Sequence, residues 1–178
     1  MVLAFAIVVL LGPRMIRWLL KQYHESPKFK QLGARTQRDY EDYRARLCKR
    51  SNRRGKEFGD VDLEQVTQRT IRRYLDTYPA PIAANRHIQY LKAAWTWAVQ
   101  RLDGVPPNPC IGVELNRQAA RDRYVTQEEY RAFMATVGGY LPLFMEIAYL
   151  CRARWSEVAQ MTTDDVLPEG LRVRRGKG

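Results

Sequence analysis

Apolar residues recur at helical spacing through the first half of the chain. In the segment 15–23 they fall at i, i+4 and i+8, which is the spacing of one helix face. The segment 34–50 repeats this pattern with basic residues over its outer surface, and Thr67 is a suitable N-cap for a third helix that Pro79 and Pro81 end. The inward positions predicted for these three helices are Met15, Ile16, Leu19, Leu20, Tyr23, Tyr40, Tyr43, Leu47, Ile71, Tyr74, Leu75 and Tyr78.

The segment 83–102 predicts the longest helix. Its apolar face is broad, which is typical of a helix at the centre of a bundle. The first half of the chain therefore predicts a helical bundle, and we expect His87 to lie on the surface of this helix. The face comprises Ile88, Leu91, Trp95 and Ala98, widened by Tyr90, Ala94 and Trp97.

The second half of the chain begins after a polar stretch that lacks apolar periodicity and predicts a linker. Thr126 and Glu129 then have the spacing of a capping box, so a helix should begin at Gln127. The further predicted elements are a buried helix over 141–151, a short helix over 154–161 and a hairpin whose turn lies at 168–170.

Charge is distributed unevenly along the chain. The formal net charge is +11, and residues 14–101 contain 20 basic and 9 acidic side chains, whereas residues 102–178 contain 10 of each. A basic surplus confined to one region indicates a binding surface for a polyanion. Composition alone leaves two polyanions open, a nucleic acid and an anionic membrane surface.

Several other classes of site lack the residues they need. The three cysteines have no CxxC spacing, so neither a disulfide framework nor a zinc knuckle is indicated, and a reducing compartment fits best. There is no GxxxxGK[ST] or HExxH motif and no nucleophile elbow, and the two histidines are far apart in sequence. We expect no metal, no cofactor and no small-molecule substrate.

Residues 1–13 form an apolar extension. The uncharged run Val2–Leu11 is too short to cross a bilayer core, which takes about 20 residues as a helix. Its basic neighbours follow it rather than precede it, unlike those of a signal peptide. We expect either a poorly placed start codon or an extension that packs as a short apolar segment, with a membrane anchor as the alternative.

A short motif lies where the predicted buried helix ends. Arg154 follows that helix, and Glu157 lies three residues further on the same helix face. Alone, these two residues are also compatible with an ordinary i, i+3 salt bridge. Together with Met161 and Asp165-Val166, they resemble the box around the first catalytic arginine of the tyrosine recombinases, the phage-integrase family. The usual form is Thr-Gly-x-Arg-x-x-Glu, and Cys151-Arg152 stands here in place of Thr-Gly.

Other parts of the chain resemble the same family in order and spacing, over about residues 15–178. The stretch 171–178 resembles the β-hairpin that carries the family's catalytic lysine, here Lys177, although by itself it also fits a basic tail. The upstream matches are Arg35-Thr36 with Tyr40, Phe58-Gly59-Asp60, Ala83-Ala84-Asn85, Trp97-Ala98, Asn108-Pro109 with Gly112-Val113, and Arg123-Tyr124-Val125-Thr126 before Glu129.

The resemblance implies a mainly α fold with two domains. An N-terminal helical-bundle, SAM-like core-binding domain is expected over 14–113, followed by a linker over 114–124. Residues 125–178 are then expected to form the first helices and a β-hairpin of an α+β catalytic domain.

The resemblance also implies metal-free chemistry, in which a tyrosine attacks a DNA phosphodiester. Arg154 would stabilise charge on the nonbridging oxygens, because a guanidinium donates two hydrogen bonds to phosphate and stays protonated. Lys177 would be the general acid toward the leaving 5′-oxygen, and Glu157 would orient Arg154.

The expected partners are double-stranded DNA and further recombinase protomers, in the cytoplasm of a bacterial or phage host cell. No membrane partner is expected. The positions expected to contact DNA are Arg35, Thr36, Arg38, Arg53, Arg54, Lys56, Asn85, Arg86 and Lys92.

The family's second arginine, histidines and tyrosine nucleophile have no counterpart here. The last tyrosine, Tyr149, precedes Arg154 and is expected to pack within the buried helix. We therefore expect a truncated recombinase that binds DNA and does not cut it. The alternatives are a non-catalytic DNA-binding regulator derived from an integrase, and a membrane-associated basic protein.

Overall fold

The computed structural model describes residues 14–52, 55–120 and 122–175. The chain divides into two compact units, unit 1 up to Ala119 and unit 2 from Ala120 onward. The described part is mainly helical, as the sequence predicts, with one small antiparallel sheet. The apolar extension 1–13 lies outside the described residues.

The described residues of unit 1 form five α-helices and two short 3-10 turns. The predicted starts at Ala34 and after Thr67 are confirmed, and the long helix begins two residues before its predicted start. The helices are α1 (Ile16–Glu25), α2 (Pro27–Lys30), α3 (Ala34–Lys49), α4 (Gln68–Thr77) and α5 (Pro81–Val99), with 3-10 turns at Phe58–Asp60 and Leu63–Gln65.

Local sequence explains where these helices begin. The Ser26 side chain accepts a hydrogen bond from the Phe29 N–H, and Pro27 occupies the first position of α2, where no N–H is needed. Thr67 and Thr70 form a capping box at the start of α4. Pro81, which the sequence predicts as part of the end of the preceding helix, instead opens α5, again at a first-turn position that tolerates proline.

Helix α5 lies at the centre of unit 1, as its broad apolar face predicts. It packs against α1, α3 and α4. The Trp95 indole is fully buried, and its N–H donates to the Pro106 carbonyl at 2.9 Å, so its one polar group is satisfied. The buried apolar residues of α5 are Ala84, Ile88, Tyr90, Leu91, Ala94, Trp95 and Ala98.

The first residues of the predicted linker are bound to unit 1. The Arg72 guanidinium donates to the Glu114 carbonyl at 2.9 Å, and the Asn116 side chain donates to the Leu75 carbonyl at 3.1 Å and the Pro81 carbonyl at 3.3 Å. The polar composition that predicts a linker here also supplies these hydrogen bonds. We call residues 114–116 the strap.

In the part of unit 2 that the structure describes there are three α-helices and a hairpin. The capping box at Thr126 and Glu129 is present, and the first helix of the unit has the predicted bounds. In the hairpin, Val166 pairs with Leu171 and Leu167 with Gly170. The elements are α6 (Gln127–Thr136), α7 (Leu141–Leu150), α8 (Trp155–Val158), a 3-10 turn at Thr163–Asp165, β1 (Val166–Leu167) and β2 (Gly170–Leu171).

The prediction that α7 is buried is wrong for the described part of the chain. None of its residues is buried, and Leu143 and Leu150 are largely exposed. Its only close aromatic neighbours in the described residues are Tyr130, beside Tyr149, and Trp155, beside Phe144 with ring centroids 4.1 Å apart. The sequence shows that α7 is apolar, but an apolar composition does not show whether another element covers the helix.

Candidate nucleic-acid interface and arginine site

Ion pairing in unit 1 leaves a set of exposed cations unpaired. Five basic side chains lie within salt-bridge distance of carboxylates, for example Arg46 with Asp42 at 2.9 Å and Arg17 with Glu57 at 2.6 Å. The exposed cations of unit 1 with no such carboxylate among the described residues are Lys28, Lys30, Arg38, Lys49, Lys56, Arg69, Arg73, Arg86, Lys92, Arg101 and Arg117.

Helix α5 presents an exposed strip that carries no acidic residue, because its whole sequence contains no Asp or Glu. Arg86, Gln89, Lys92 and Thr96 are exposed along it. Arg86 and Lys92 are six residues apart, about 9 Å along the helix axis at about 1.5 Å per residue. We call these four residues the acid-free strip.

Helix α3 has a more mixed surface than the acid-free strip. Arg35 is highly exposed, but its Nε lies 3.4 Å from an oxygen of Asp39. Thr36 is half-buried, and the exposed Arg38 donates to the Ala34 carbonyl of its own helix at 3.4 Å. Of the three contacts predicted on this helix, Arg38 is the one exposed cation without a carboxylate partner among the described residues.

The turn after α3 contains three further predicted contacts. Arg53 and Arg54 lie outside the described residues. Lys56 is exposed, and its backbone is held by reciprocal hydrogen bonds with Asn52, whose N–H donates to the Lys56 carbonyl at 3.0 Å and whose side-chain oxygen accepts from the Lys56 N–H at 3.1 Å. The closed turn therefore fixes the backbone from which the Lys56 ammonium extends.

Asn85 is not at the surface, and its prediction as a DNA contact needs correction. It is 8% exposed, and both polar atoms of its side chain are used inside unit 1. Its Nδ2 donates to the Asn116 carbonyl at 2.8 Å, and its Oδ1 accepts from the Asn116 N–H at 2.9 Å. Asn85 thus holds the strap against α5, and its amide is not free for an external ligand.

His87 is also buried rather than on the surface, so that prediction is wrong. It is 1% exposed, and its Nδ1 shares a hydrogen bond of 2.8 Å with the Tyr74 hydroxyl. His24 makes the equivalent bond to the Tyr90 hydroxyl at 2.6 Å and stacks on Phe29. Burial lowers the pKa of His87 and lowers that of His24 to about 4, with smaller contributions from nearby arginines.

Arg154 and Glu157 are brought together at the start of α8. Glu157 is buried, and its Oε2 accepts a hydrogen bond of 2.8 Å from the Arg154 backbone N–H. This bond caps the start of α8. The Arg154 guanidinium has no acceptor atom, so it cannot accept a hydrogen bond from the helix in return. The Arg154 side chain is 71% exposed, and the closest pairing of its guanidinium with Glu157 is 3.9 Å. Glu157 therefore fixes the Arg154 backbone and leaves its guanidinium open to a ligand.

Asp165 organises the hairpin that leads to Lys177. Its carboxylate is 2% exposed and accepts hydrogen bonds from the Thr162 N–H at 3.1 Å and from the Nε atoms of Arg172 and Arg174 at 3.2 and 3.0 Å. The Thr162 N–H, with Arg174 and Arg172, lowers the pKa of Asp165. Lys177 itself lies outside the described residues.

Arg152 has a backbone conformation that the sequence pattern did not single out. Its φ is +48°, in the left-handed region. Its N–H donates to the Tyr149 carbonyl at 3.3 Å, and the Ala153 N–H donates to the Ala148 carbonyl at 2.9 Å, the two bonds of a Schellman motif. The signal was available, because the resembled pattern has glycine at this position and glycine accepts positive φ without strain.

Tyr149 does not pack in a buried helix. It is 66% exposed and stands beside Tyr130, with ring centroids 5.6 Å apart. Within the described ranges there is no group of three His, Cys, Asp or Glu side chains placed to hold a metal ion. No helix in the same ranges is long and apolar enough to cross a membrane.

Comparisons with protein-family models, with curated proteins and with solved structures found no match for this chain.

Proposed function

We propose that this chain is the DNA-binding portion of a site-specific tyrosine recombinase. Unit 1 would be its SAM-like core-binding domain, and unit 2 the beginning of its catalytic domain. The observation that carries the proposal is the set of exposed cations without carboxylate partners in unit 1, above all those of the acid-free strip on α5. Phosphate groups are neutralised by cations of this kind, and a carboxylate nearby would repel them.

The proposed DNA contacts differ from the sequence expectation in one residue. Asn85 is removed, because the strap already uses its amide. Contacts with phosphates position a protein on the duplex, whereas sequence choice needs base-edge contacts. The proposal assigns the first role to the remaining predicted positions, which are Arg35, Thr36, Arg38, Arg53, Arg54, Lys56, Arg86 and Lys92.

The arginine site is proposed to act on the phosphate that is cut. Arg154 is exposed and Glu157 is bonded to its backbone, so Glu157 acts as a positioning residue for a guanidinium that contacts the phosphate. Asp165 binds Arg172 and Arg174 in the segment between β2 and Lys177, the proposed general acid. The activity proposed for residues 14–178 is DNA binding, beside further protomers in the cytoplasm of a bacterial or phage host cell.

The proposal is tested by titrating the whole chain into a fluorescent 30-bp duplex at several salt concentrations. We expect log affinity to fall steeply with log salt, by about 0.9 for each phosphate neutralised. The double variant R86Q/K92Q should reduce that slope by about 2. The control K21Q/R46Q removes the same charge from cations that already have carboxylate partners, and should remain close to wild type.

Two results would contradict the proposal. The first is binding that is absent or independent of salt at low ionic strength. The second is an equal loss in R86Q/K92Q and K21Q/R46Q, because only net charge would then matter and the acid-free strip would have no special role.

A further inference from the structure

Arg152 occupies a position where arginine is the less favourable choice. At a φ of +48° the Cβ of an L-residue is crowded by the neighbouring backbone, and helices that end in a Schellman motif usually have glycine there. The hydrogen bonds of the motif are made by backbone atoms, so they do not need the guanidinium. An arginine at this position therefore lowers the stability of the fold relative to glycine.

The Arg152 side chain is exposed and has no salt bridge or hydrogen bond within the described ranges. It lines an open cavity of about 540 Å³ whose other walls are Ala148, Tyr149, Leu150 and Ala153. The surrounding sequence contains no acidic residue from Ile147 to Ser156. An anion that entered this cavity would therefore meet a guanidinium that has no carboxylate within salt-bridge distance in the described ranges.

Arg154 lies two residues further along and is also exposed, with its nearest carboxylate oxygen 3.9 Å away. The Schellman motif fixes the backbone at Arg152, and Glu157 fixes it at Arg154. Two guanidiniums thus extend from backbone positions that are both held in place. This arrangement is suited to a ligand with more than one anionic group.

We propose that Arg152 is a second phosphate-binding residue of the arginine site, which contacts the DNA backbone next to the phosphate bound by Arg154. This inference rests on the proposed function and extends it to a residue outside the resembled motif. Strained conformations that oppose the locally preferred residue are characteristic of binding sites. Arg152 would contribute to binding of the duplex and not to the chemical step.

A purely structural role for Arg152 predicts a different outcome. A cation at the C-terminal end of α7 can also stabilise the free carbonyls of the helix. In that case, removing its charge would change the stability of the chain and leave DNA binding as it was.

The experiment compares R152Q with R131Q in the whole chain, using the same 30-bp duplex between 50 and 200 mM salt. R152Q keeps a side chain and the strained backbone but removes the charge, and R131Q removes one charge from an exposed residue of α6. We expect R152Q to bind several-fold more weakly at 50 mM salt, with a salt slope smaller by about 0.9. R131Q should match wild type, and R152K should retain the slope.

A third variant, R152G, separates binding from stability. Glycine fits the left-handed conformation, so the melting temperature should rise by about 2–4 °C while DNA binding weakens as in R152Q. A raised melting temperature with unchanged binding would overturn the assignment, and so would equal behaviour of R152Q and R131Q.

Failure of this inference is distinguishable from failure of the proposed function. If wild type shows no salt-dependent binding, the proposed function fails and the role of Arg152 fails with it. If wild type and R86Q/K92Q behave as expected while R152Q matches R131Q, only the assignment of Arg152 is wrong.

Discussion

Asn85 and Asn116 are joined by two hydrogen bonds. The side-chain amide of Asn85 donates to the backbone carbonyl of Asn116 and accepts from its N–H, as the backbone of a neighbouring β-strand would. The pair connects the central helix of unit 1 to residues 31 positions later in the chain. It holds in place the segment that leaves the bundle.

We expect Asn85→Ala to lower the free energy of unfolding by about 1–3 kcal/mol, because it leaves a partly buried N–H and carbonyl of Asn116 without partners. Urea denaturation of the whole chain measures the change. Gln89→Ala on the exposed side of α5 is the control and should change stability by less than about 0.5 kcal/mol. Equal effects of the two variants would show that the strap does not contribute to stability.

Two histidines, the buried His87 and the half-buried His24, predict a loss of stability in mild acid. Their folded-state pKa values lie below the ordinary value of 6.5, at about 4 for His24, so the unfolded chain binds more protons than the folded chain between these limits. The contribution of the neutral histidines is complete above pH 6.5 and declines as the pH falls toward 4.

Urea denaturation at pH 7.5, 6.0 and 5.0 measures this decline in a range where carboxylates remain ionised. His24→Gln keeps hydrogen-bonding groups beside Tyr90 but does not titrate, so its stability should depend less on pH than that of wild type. An unchanged pH dependence in the variant would exclude His24 as a source of the effect.

We expect Asp165→Ala to loosen the segment after β2 that contains Arg172 and Arg174. Both guanidiniums lose their shared carboxylate, and the Thr162 N–H loses its acceptor. Limited trypsin digestion should then cut after Arg172 and Arg174 several-fold faster than in wild type. Asp164→Ala is the matched control, because Arg172 is bonded to the Asp164 backbone carbonyl and not to its side chain. Equal digestion of the two variants would contradict the role given to the Asp165 carboxylate.

A prediction about the chemistry follows from the proposed function. In a recombinase that carries this segment together with a tyrosine nucleophile, Arg154→Ala should reduce DNA cleavage by a factor on the order of 10² or more and leave site binding nearly unchanged. The reason is that its guanidinium would stabilise charge that develops mainly in the transition state. The present chain should form no covalent DNA adduct. Gel assays of cleavage and of binding, run in parallel, would contradict the assignment if Arg154→Ala impaired both equally.

Spacing and capping residues predicted most of the helices. Thr67 and Thr126 mark helix starts through local hydrogen bonds, and local bonds can be read from the sequence. The spacing of His87 also puts it on the inward face of α5, because it precedes Leu91, Ala94 and Ala98 by four, seven and eleven residues. The polarity of His87 favours a surface position, whereas its spacing indicates the core, and the structure follows the spacing.

Other features depended on contacts between distant residues. The partner of Asn85 is the backbone of Asn116, and nothing in either local sequence identifies that pair. The exposure of α7 has a similar origin, because hydrophobicity shows that a helix needs a partner and does not show where the partner is. At the arginine site, the order of residues suggested the pairing of Arg154 with Glu157, but not that Glu157 binds the backbone and leaves the guanidinium exposed.

The position of Trp155 makes the exposed apolar surface of unit 2 observable. It is the one tryptophan in unit 2, and it is 63% exposed, whereas Trp95 is fully buried in unit 1. Its fluorescence should therefore be red-shifted and open to quenching by iodide, in contrast to that of Trp95. Any chain segment or partner that covers α7 next to Phe144 would take this indole out of water. A blue shift of its emission would then report the event without an added label.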